Sequence, residues 1–201
     1  MFTGIIVALG QVASTAEKGG DLELGISAAA LPEGRLAVGD SVSVEGVCLT
    51  VTQLRGPVFH ADVSRETLGK TTLGSLAVDA SVNLEPSLRA GDPLGGHLVS
   101  GHVDALGTLI ALDREARSSR MRFELPAHLM RFVAPKGSVS ISGVSLTVNA
   151  VEGQWFDVNI IPHTLKVTTL GELAIGACVN VEIDLIARYI ERLAGFGKPE
   201  Q

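Results

Sequence analysis

Short runs of alternating hydrophobic and polar residues recur along the chain. Ser41–Val44, residues 49–52 and Val58–Val63 place apolar side chains at every second position, which is the period of a half-buried β-strand. Breaks rich in glycine, such as Gly39-Asp40 and Arg55-Gly56-Pro57, separate these runs. The pattern predicts an all-β protein of short strands, arranged as a small closed barrel or a sandwich.

Three segments depart from this strand pattern. Residues 31–36 and 127–132 are predicted to form short helical pieces, and the C-terminal tail is predicted to be an amphipathic helix. Its apolar residues recur at three- and four-residue spacing: Ile186, Tyr189, Ile190 and Leu193. A helix of about ten residues is marginal alone in water. We therefore expect its apolar stripe to pack either on its own barrel or on other copies of the chain.

The sequence also repeats itself at a fixed offset of 97 residues. Residues 46–51 read GVCLTV and residues 143–148 read GVSLTV, and several shorter segments match at the same offset. A period of this length is the size of a small domain, not of a solenoid unit. The predicted organisation is a first copy at 1–86, a Gly- and Pro-rich linker at 87–97, a second copy at 98–184, and a helix with a tail at 185–201.

Composition and charge exclude several classes of protein. Lys and Arg number 16 and Asp and Glu 22, so the formal net charge is −6, which argues against a nucleic-acid partner. Hydrophobic residues make up 46% of the chain, enough for a core, yet no apolar stretch is long enough to span a membrane. The first residues do not resemble a signal peptide. Two cysteines are too few for a disulfide framework, so we expect reduced thiols and a cytoplasmic protein.

Several well-known catalytic motifs are missing from the sequence. It contains no P-loop, no G-x-G-x-x-G segment that opens a helix, no G-x-S-x-G elbow and no H-E-x-x-H. Nucleotide hydrolysis, dinucleotide binding on a Rossmann fold and serine hydrolase chemistry are therefore disfavoured.

Positions where the two copies differ are candidates for asymmetric chemistry. The differing pairs are Cys48 and Ser145, Ile5 and His102, Ser64 and Ile161, Arg65 and Pro162, and Gly39 and Lys136. Simpler interpretations stay open for each: Cys48 fits a small buried apolar residue, and Lys136 fits a solvated turn. His97 and His102 have a spacing that provides only a weak metal signal, so we predict no metal site.

The motifs together are similar to those of one known family. They are the N-terminal Met1-Phe2-Thr3-Gly4-Ile5-Ile6, the two G-V-x-L-T-V segments, the run GGHLVSGHVD at 95–104, and Asn180-Val181-Glu182-Ile183-Asp184. In this combination the whole chain resembles the riboflavin synthase family, alpha chain. The resemblance implies two six-stranded antiparallel Greek-key barrels followed by a C-terminal helix, in a homotrimer held largely by that helix.

The resemblance also implies a reaction. Two molecules of 6,7-dimethyl-8-ribityllumazine would dismutate: a four-carbon unit passes from one to the other and gives riboflavin and 5-amino-6-ribitylamino-uracil. Neither a metal nor an organic cofactor is implied. The active site would hold two lumazines, between the N-terminal barrel of one subunit and the C-terminal barrel of its neighbour. Lumazine synthase is a further implied partner.

The family's site residues carry over to positions in both copies. The implied catalytic residues are His102, Cys48, Ser145 and Thr147, with His102 as the candidate base for the acidic C7 methyl group of lumazine. The implied substrate-binding residues are Gly4, Ile5, Ile6, Cys48, Leu49, Thr50, Asp62, Ser64, Thr67, Gly101, His102, Val103, Lys136, Ser145, Leu146, Thr147, Ile161, Pro162, Thr164 and Asp184.

Two departures from the family pattern accompany this resemblance. Ser142 precedes the second G-V-x-L-T-V segment where relatives often carry Asp or Asn, with Glu45 at the equivalent place in the first copy, and Pro86 follows Glu85 where Arg is usual. A non-catalytic lumazine- or flavin-binding protein of the same fold is the alternative function.

Overall fold

The protein is described here from a computed structural model, which describes residues 1–115 and 117–195. In chain order the elements are β1 (Ala8–Lys18), β2 (Asp21–Ser27), β3 (Ser41–Val44), β4 (Val47–Thr50), β5 (Gln53–Arg55), β6 (Val58–Val63), α1 (Arg65–Lys70), β7 (Ser81–Pro86), β8 (Ala105–Glu115), β9 (Ser118–Glu124), β10 (Ser138–Ile141), β11 (Val144–Glu152), β12 (Trp155–Ile160), α2 (Pro162–Val167), β13 (Cys178–Ile183) and α3 (Leu185–Gly195). Short 3-10 turns at Thr72–Ser75, Ala127–Phe132 and Thr169–Glu172 complete the order.

The second copy forms a closed antiparallel barrel. Its strands follow each other in the order β10-β11-β12-β9-β8-β13, and β13 pairs with β10 to close the ring. Hairpins join β10, β11 and β12, while β9 returns beside β12 through a long connection, which is the Greek-key arrangement. The tandem Greek-key prediction is therefore confirmed for this copy.

The first copy has the same order with one strand interrupted. Its sheet runs β4-β3-β7-β1-β2-β6-β5, and its two edge strands, β4 and β5, are joined by Val51 and Thr52 alone. The backbone N–H of Thr52 donates to the carbonyl of His60 at 2.8 Å, so β4 and β5 together occupy the place of β11. The sheet thus closes on itself as a second six-strand barrel.

Each barrel contains its own hydrophobic core. Inward-facing strand residues such as Phe59 and Leu84 form the core of the first barrel, and Phe123 stacks on Phe156 at 5.9 Å between ring centroids in the second. The two cores agree with the alternation in the sequence, because every second strand residue points inward.

Two equivalent hairpin turns hold the barrels against each other. Glu45-Gly46 joins β3 to β4 and Ser142-Gly143 joins β10 to β11, and all four residues have positive φ, as type I′ turns require. A Cβ placed on Gly46 would lie only 2.6 Å from the backbone nitrogen of Gly143. The backbones of the two turns are therefore in direct contact, which only glycine permits.

The helical predictions have mixed outcomes. The C-terminal helix is confirmed as α3, and Ala127–Phe132 is a 3-10 helix. The predicted helix at 31–36 is wrong: Leu31 N–H donates to Ala28 O and Arg35 N–H to Pro32 O, so the segment forms consecutive tight turns, and Gly34 has φ +69°. No helix among the described residues is long and apolar enough to cross a membrane.

Candidate functional site

A cluster of candidate residues, which we term the N-terminal half-site, lies at one end of the first barrel. Cys48, Leu49 and Thr50 belong to β4, Asp62 lies near the end of β6, and Ser64 and Thr67 begin α1. The hydrogen bonds that pair β5 with β6 end at Thr52 and His60. Beyond that point β4 and the end of β6 separate. The separation leaves side chains such as those of Thr50 and Asp62 exposed at the mouth of the barrel.

The second barrel has an equivalent cluster, the C-terminal half-site. Ser145, Leu146 and Thr147 lie on β11, and Ile161, Pro162 and Thr164 lie at the start of α2. The ladder between β11 and β12 ends at Val148 and Val158. The strands then separate as in the first copy. Lys136 lies close by, since its N–H donates to the carbonyl of Val148 at 2.8 Å.

Each half-site is completed by a segment from the other copy. The first six residues, termed the N-terminal arm, reach the second barrel, where the Gly4 carbonyl accepts from Ser145 N–H at 2.8 Å and Ile6 packs on the core. Residues 97–103, termed the linker arm, reach the first barrel: the Gly101 carbonyl accepts from Cys48 N–H at 2.8 Å.

The two arms also pair with each other on their way between the barrels. Phe2 N–H donates to Val99 O at 2.8 Å and Val99 N–H to Phe2 O at 3.1 Å. Val103 packs on the core of the first barrel, as Ile6 does on that of the second. Gly4, Ile5 and Ile6 therefore lie at the C-terminal half-site, whereas Gly101, His102 and Val103 lie at the N-terminal half-site.

Ser145 has a hydrogen-bond partner that the sequence reasoning did not assign to the site. The imidazole Nδ1 of His97 lies 2.7 Å from Ser145 Oγ, while His97 Nε2 is buried and has no hydrogen-bond partner. Burial lowers the pKa of the His97 imidazole, although the nearby Asp184 carboxylate opposes this. A neutral imidazole next to a hydroxyl group can accept or donate a proton.

His97 escaped prediction because it has no counterpart in the repeat. The 97-residue offset places it before the first residue of the chain, so a comparison of the two copies says nothing about it. The preceding glycines were the available signal. A Cβ at Gly96 would lie 2.1 Å from the Thr3 carbonyl, so the residue just before the linker arm must be glycine to bring His97 to Ser145.

Several predicted site residues also have a structural role. Ser64 caps α1, since its Oγ accepts from Thr67 N–H at 3.3 Å and lies 3.1 Å from Thr67 Oγ1. Asp184 Oδ1 accepts from Ile186 N–H at 2.9 Å at the start of α3. Lys136 is exposed on a turn with φ +69°. Ligand contacts of these three residues stay predictions.

Within residues 1–115 and 117–195, no three His, Cys, Asp or Glu side chains converge as metal ligands would. The half-sites contain a thiol, hydroxyls, imidazoles and carboxylates, and the two copies differ at Cys48 and Ser145 and at His102 and Ile5.

Comparisons with known proteins agree with this architecture. The lumazine binding domain family matches residues 3–87 and 100–184. The riboflavin synthase of Photobacterium phosphoreum is 42% identical over 200 residues, covering 100% of this chain and 92% of the relative, and that of Actinobacillus pleuropneumoniae is 42% identical over 192 residues, covering 96% and 89%. The crystal structure of LumP complexed with riboflavin superposes with a TM-score of 0.83 at 25% identity, covering 91% of this chain and 99% of that one. The chain thus belongs to the riboflavin synthase family.

Proposed function

We propose that the protein is a riboflavin synthase that dismutates two molecules of 6,7-dimethyl-8-ribityllumazine to riboflavin and 5-amino-6-ribitylamino-uracil. The family assignment supports the reaction, and its lumazine binding domain occurs twice in the chain. Two bound lumazines need two pockets, and the repeat supplies two half-sites built from equivalent residues.

The observation that carries the proposal is that these half-sites are similar but unequal. The reaction uses two identical molecules in different roles, as donor and acceptor of four carbons. Cys48 in one half-site stands where Ser145 stands in the other, and His102 stands where Ile5 stands. Such differences allow one lumazine to be polarised differently from the other.

The proposed rate enhancement rests on positioning and on proton transfer. Holding two flat ring systems in a reactive orientation contributes up to about 7–11 kcal/mol, because a bimolecular encounter becomes an intramolecular one. His102 is the proposed base for the C7 methyl group at the N-terminal half-site. Ser145, with His97 and Thr147, would bind the ring or an attacking water at the C-terminal half-site.

We expect the purified protein to form one riboflavin from two lumazines without an added metal or cofactor. His102→Gln is expected to lower kcat by about two orders of magnitude with a smaller change in KM, since a general base contributes that much to rate. His128→Gln, an exposed histidine on the 3-10 turn before β10, is the matched control and should keep wild-type turnover. Riboflavin absorbance measures the rates.

One result would count against the proposed reaction, and another only against the role of His102. Tight binding of one lumazine per chain without turnover would support the alternative of a non-catalytic binding protein. A kcat unchanged in His102→Gln would remove His102 from the role of base while leaving the reaction itself in place.

We further propose a homotrimer in which the active site forms between the N-terminal half-site of one subunit and the C-terminal half-site of the next. The apolar stripe of α3 supports self-association, because its four side chains are 58–71% exposed: Ile186, Tyr189, Ile190 and Leu193. A cytoplasmic location suits the two free cysteines. Lumazine synthase is a proposed partner on the family resemblance alone.

Ile190→Asp is expected to convert the protein to monomers and to lower turnover at least about tenfold, because a charge in an apolar interface is costly to bury. Sedimentation velocity and riboflavin formation measure the two effects. Ile175→Asp is the control, since Ile175 is an equally exposed apolar residue outside α3. A trimer that survives in Ile190→Asp would show that α3 does not hold the assembly.

A further inference from the structure

Two buried glutamates occupy equivalent places in the barrels. Glu85 lies on β7 and Glu182 on β13, again 97 residues apart, and each is almost completely shielded from solvent. The chemistry proposed for the half-sites uses neither carboxylate. Both are aimed at the arms that cross between the barrels.

Glu85 binds the N-terminal arm through three hydrogen bonds. Its Oε1 accepts from the N–H and the hydroxyl of Thr3, each at 2.7 Å, and its Oε2 accepts from Gly4 N–H at 2.9 Å. Glu182 binds the linker arm in the same way. Its Oε1 accepts from the N–H and hydroxyl of Ser100 at 2.7 and 2.6 Å, and its Oε2 from Gly101 N–H at 2.8 Å.

Each arm continues from its carboxylate directly into the opposite barrel. Gly4, bound by Glu85 in the first barrel, accepts from Ser145 N–H in the second, and Gly101, bound by Glu182 in the second barrel, accepts from Cys48 N–H in the first. The same glycine therefore contacts a carboxylate of one barrel through its N–H and a half-site strand of the other through its carbonyl.

We infer that Glu85 and Glu182 are positioning residues that act crosswise: Glu85 of the first barrel sets the C-terminal half-site, and Glu182 of the second barrel sets the N-terminal half-site. The inference deepens the proposed function, because the half-sites are those of the proposed reaction. Charged acceptors form the stronger class of hydrogen bond, and burial raises the pKa of both carboxyls while the bonds from the arms lower it.

The test compares the accessibility of a thiol in each half-site. In a Cys178→Ser background, Cys48 reports on the N-terminal half-site, because its half-buried side chain lies against the Gly101 backbone. In a background of Cys48→Ser and Cys178→Ser, the substitution Ser145→Cys reports on the C-terminal half-site, where Gly4 has the equivalent place. The rate of alkylation by iodoacetamide is compared with that of the same thiol in the chain with both glutamates, and an increase measures how much further each arm detaches.

Glu182→Gln should raise the alkylation rate of Cys48 about tenfold or more. It should change the alkylation rate of the thiol introduced at position 145 by less than about twofold. Glu85→Gln should do the reverse. The amide keeps the shape of the carboxylate but turns a donor toward a backbone N–H, so one buried donor loses its acceptor. Glu85→Asp and Glu182→Asp, which retain the acceptors, should restore part of the protection.

An uncrossed pattern, equal effects on both thiols, or no effect would overturn the inference. If a Gln variant does not fold, Thr3→Val and Ser100→Ala replace it. Each removes a hydroxyl that donates to the glutamate and accepts from a backbone N–H of the same arm, Ile5 N–H for Thr3 and His102 N–H for Ser100. The same crossed pattern is required with about a threefold amplitude. Alkylation needs neither substrate nor turnover. Absence of riboflavin formation by the wild-type protein would therefore refute the proposed function, not the crossed positioning.

Discussion

Gly46→Ala is expected to destabilise the folded protein by about 3 kcal/mol or more, and Gly143→Ala by a similar amount. Both residues have φ near +80°, where a Cβ is strained. A new Cβ at Gly46 would also lie 2.6 Å from Gly143 N, and one at Gly143 would lie 2.9 Å from Gly46 N. The two turns would have to move apart, and the contact between the barrels would open.

Gly56→Ala and Gly153→Ala provide matched controls for this effect. Both glycines lie in hairpin turns with φ of +58° and +55°, and a Cβ at either would meet no atom within 4 Å. These variants should lose only about 1 kcal/mol, from backbone strain alone. Denaturant unfolding measures all four. Losses at Gly46 equal to those at Gly56 would show that the two central turns do not abut in solution.

Glu45→Gln is expected to be more stable relative to wild type at high pH than at low pH. The difference in free energy of unfolding between the variant and wild type should be about 3 kcal/mol more favourable to the variant at pH 8 than at pH 4.5. Burial, with a smaller effect of nearby Glu172, raises the pKa of the Glu45 carboxyl from 4.5 to about 7. Hydrogen bonds from Asn83 N–H at 2.6 Å and Thr169 Oγ1 at 3.0 Å lower it only in part.

The sign follows from proton binding. Between about pH 4.5 and 7 the folded state retains a proton that the unfolded state releases, so rising pH favours unfolding across this window and has no further effect above it. Glutamine keeps the acceptor for Asn83 and does not ionise. Exposed Glu172→Gln serves as the control and should change stability by less than about 0.5 kcal/mol. A difference between Glu45→Gln and wild type that is constant with pH would contradict the raised pKa.

The central turns make equivalent backbone contacts at Glu45 and at Ser142, the position that departs from the family pattern. Asn83 Nδ2 donates to the Ser142 carbonyl at 2.9 Å, and Asn180 Nδ2 donates to the Glu45 carbonyl at 2.8 Å. These bonds use the backbone of positions 45 and 142. The backbone contacts are equivalent in both copies, whereas the buried side chains differ, since Glu45 Oε1 also accepts from Asn83 N–H and Thr169 Oγ1.

The sequence predicted the fold well because a strand shows in the alternation of neighbouring residues and a repeat shows in the identity of whole segments. The alternation in Ser41–Val44 matches β3, and the offset of 97 residues relates the two barrels. α1 and α2 were not predicted, since six residues are too few to show a helical period. Pro32 and Gly34 favoured turns where a helix was expected.

The candidate site was less accessible to sequence reasoning because it depends on contacts between distant residues. The crossing of the arms brings Gly4 to Ser145 and Gly101 to Cys48, and no periodicity encodes such a contact. The pairing of His97 with Ser145 was missed for the same reason. The repeated V-N-x-E segments showed that Glu85 and Glu182 are equivalent, but no sequence pattern showed that their carboxylates are buried.

The crossing arms also impose an order on folding during synthesis. The core of the first barrel consists of residues made early and can assemble as soon as β7 has left the ribosome. Its pocket stays incomplete until the linker arm emerges, and the N-terminal arm, although made first, lacks its partner Ser145 in the second barrel until β11 exists. Such long-range pairings form slowly. Both pockets are therefore completed late, after the barrels that carry them.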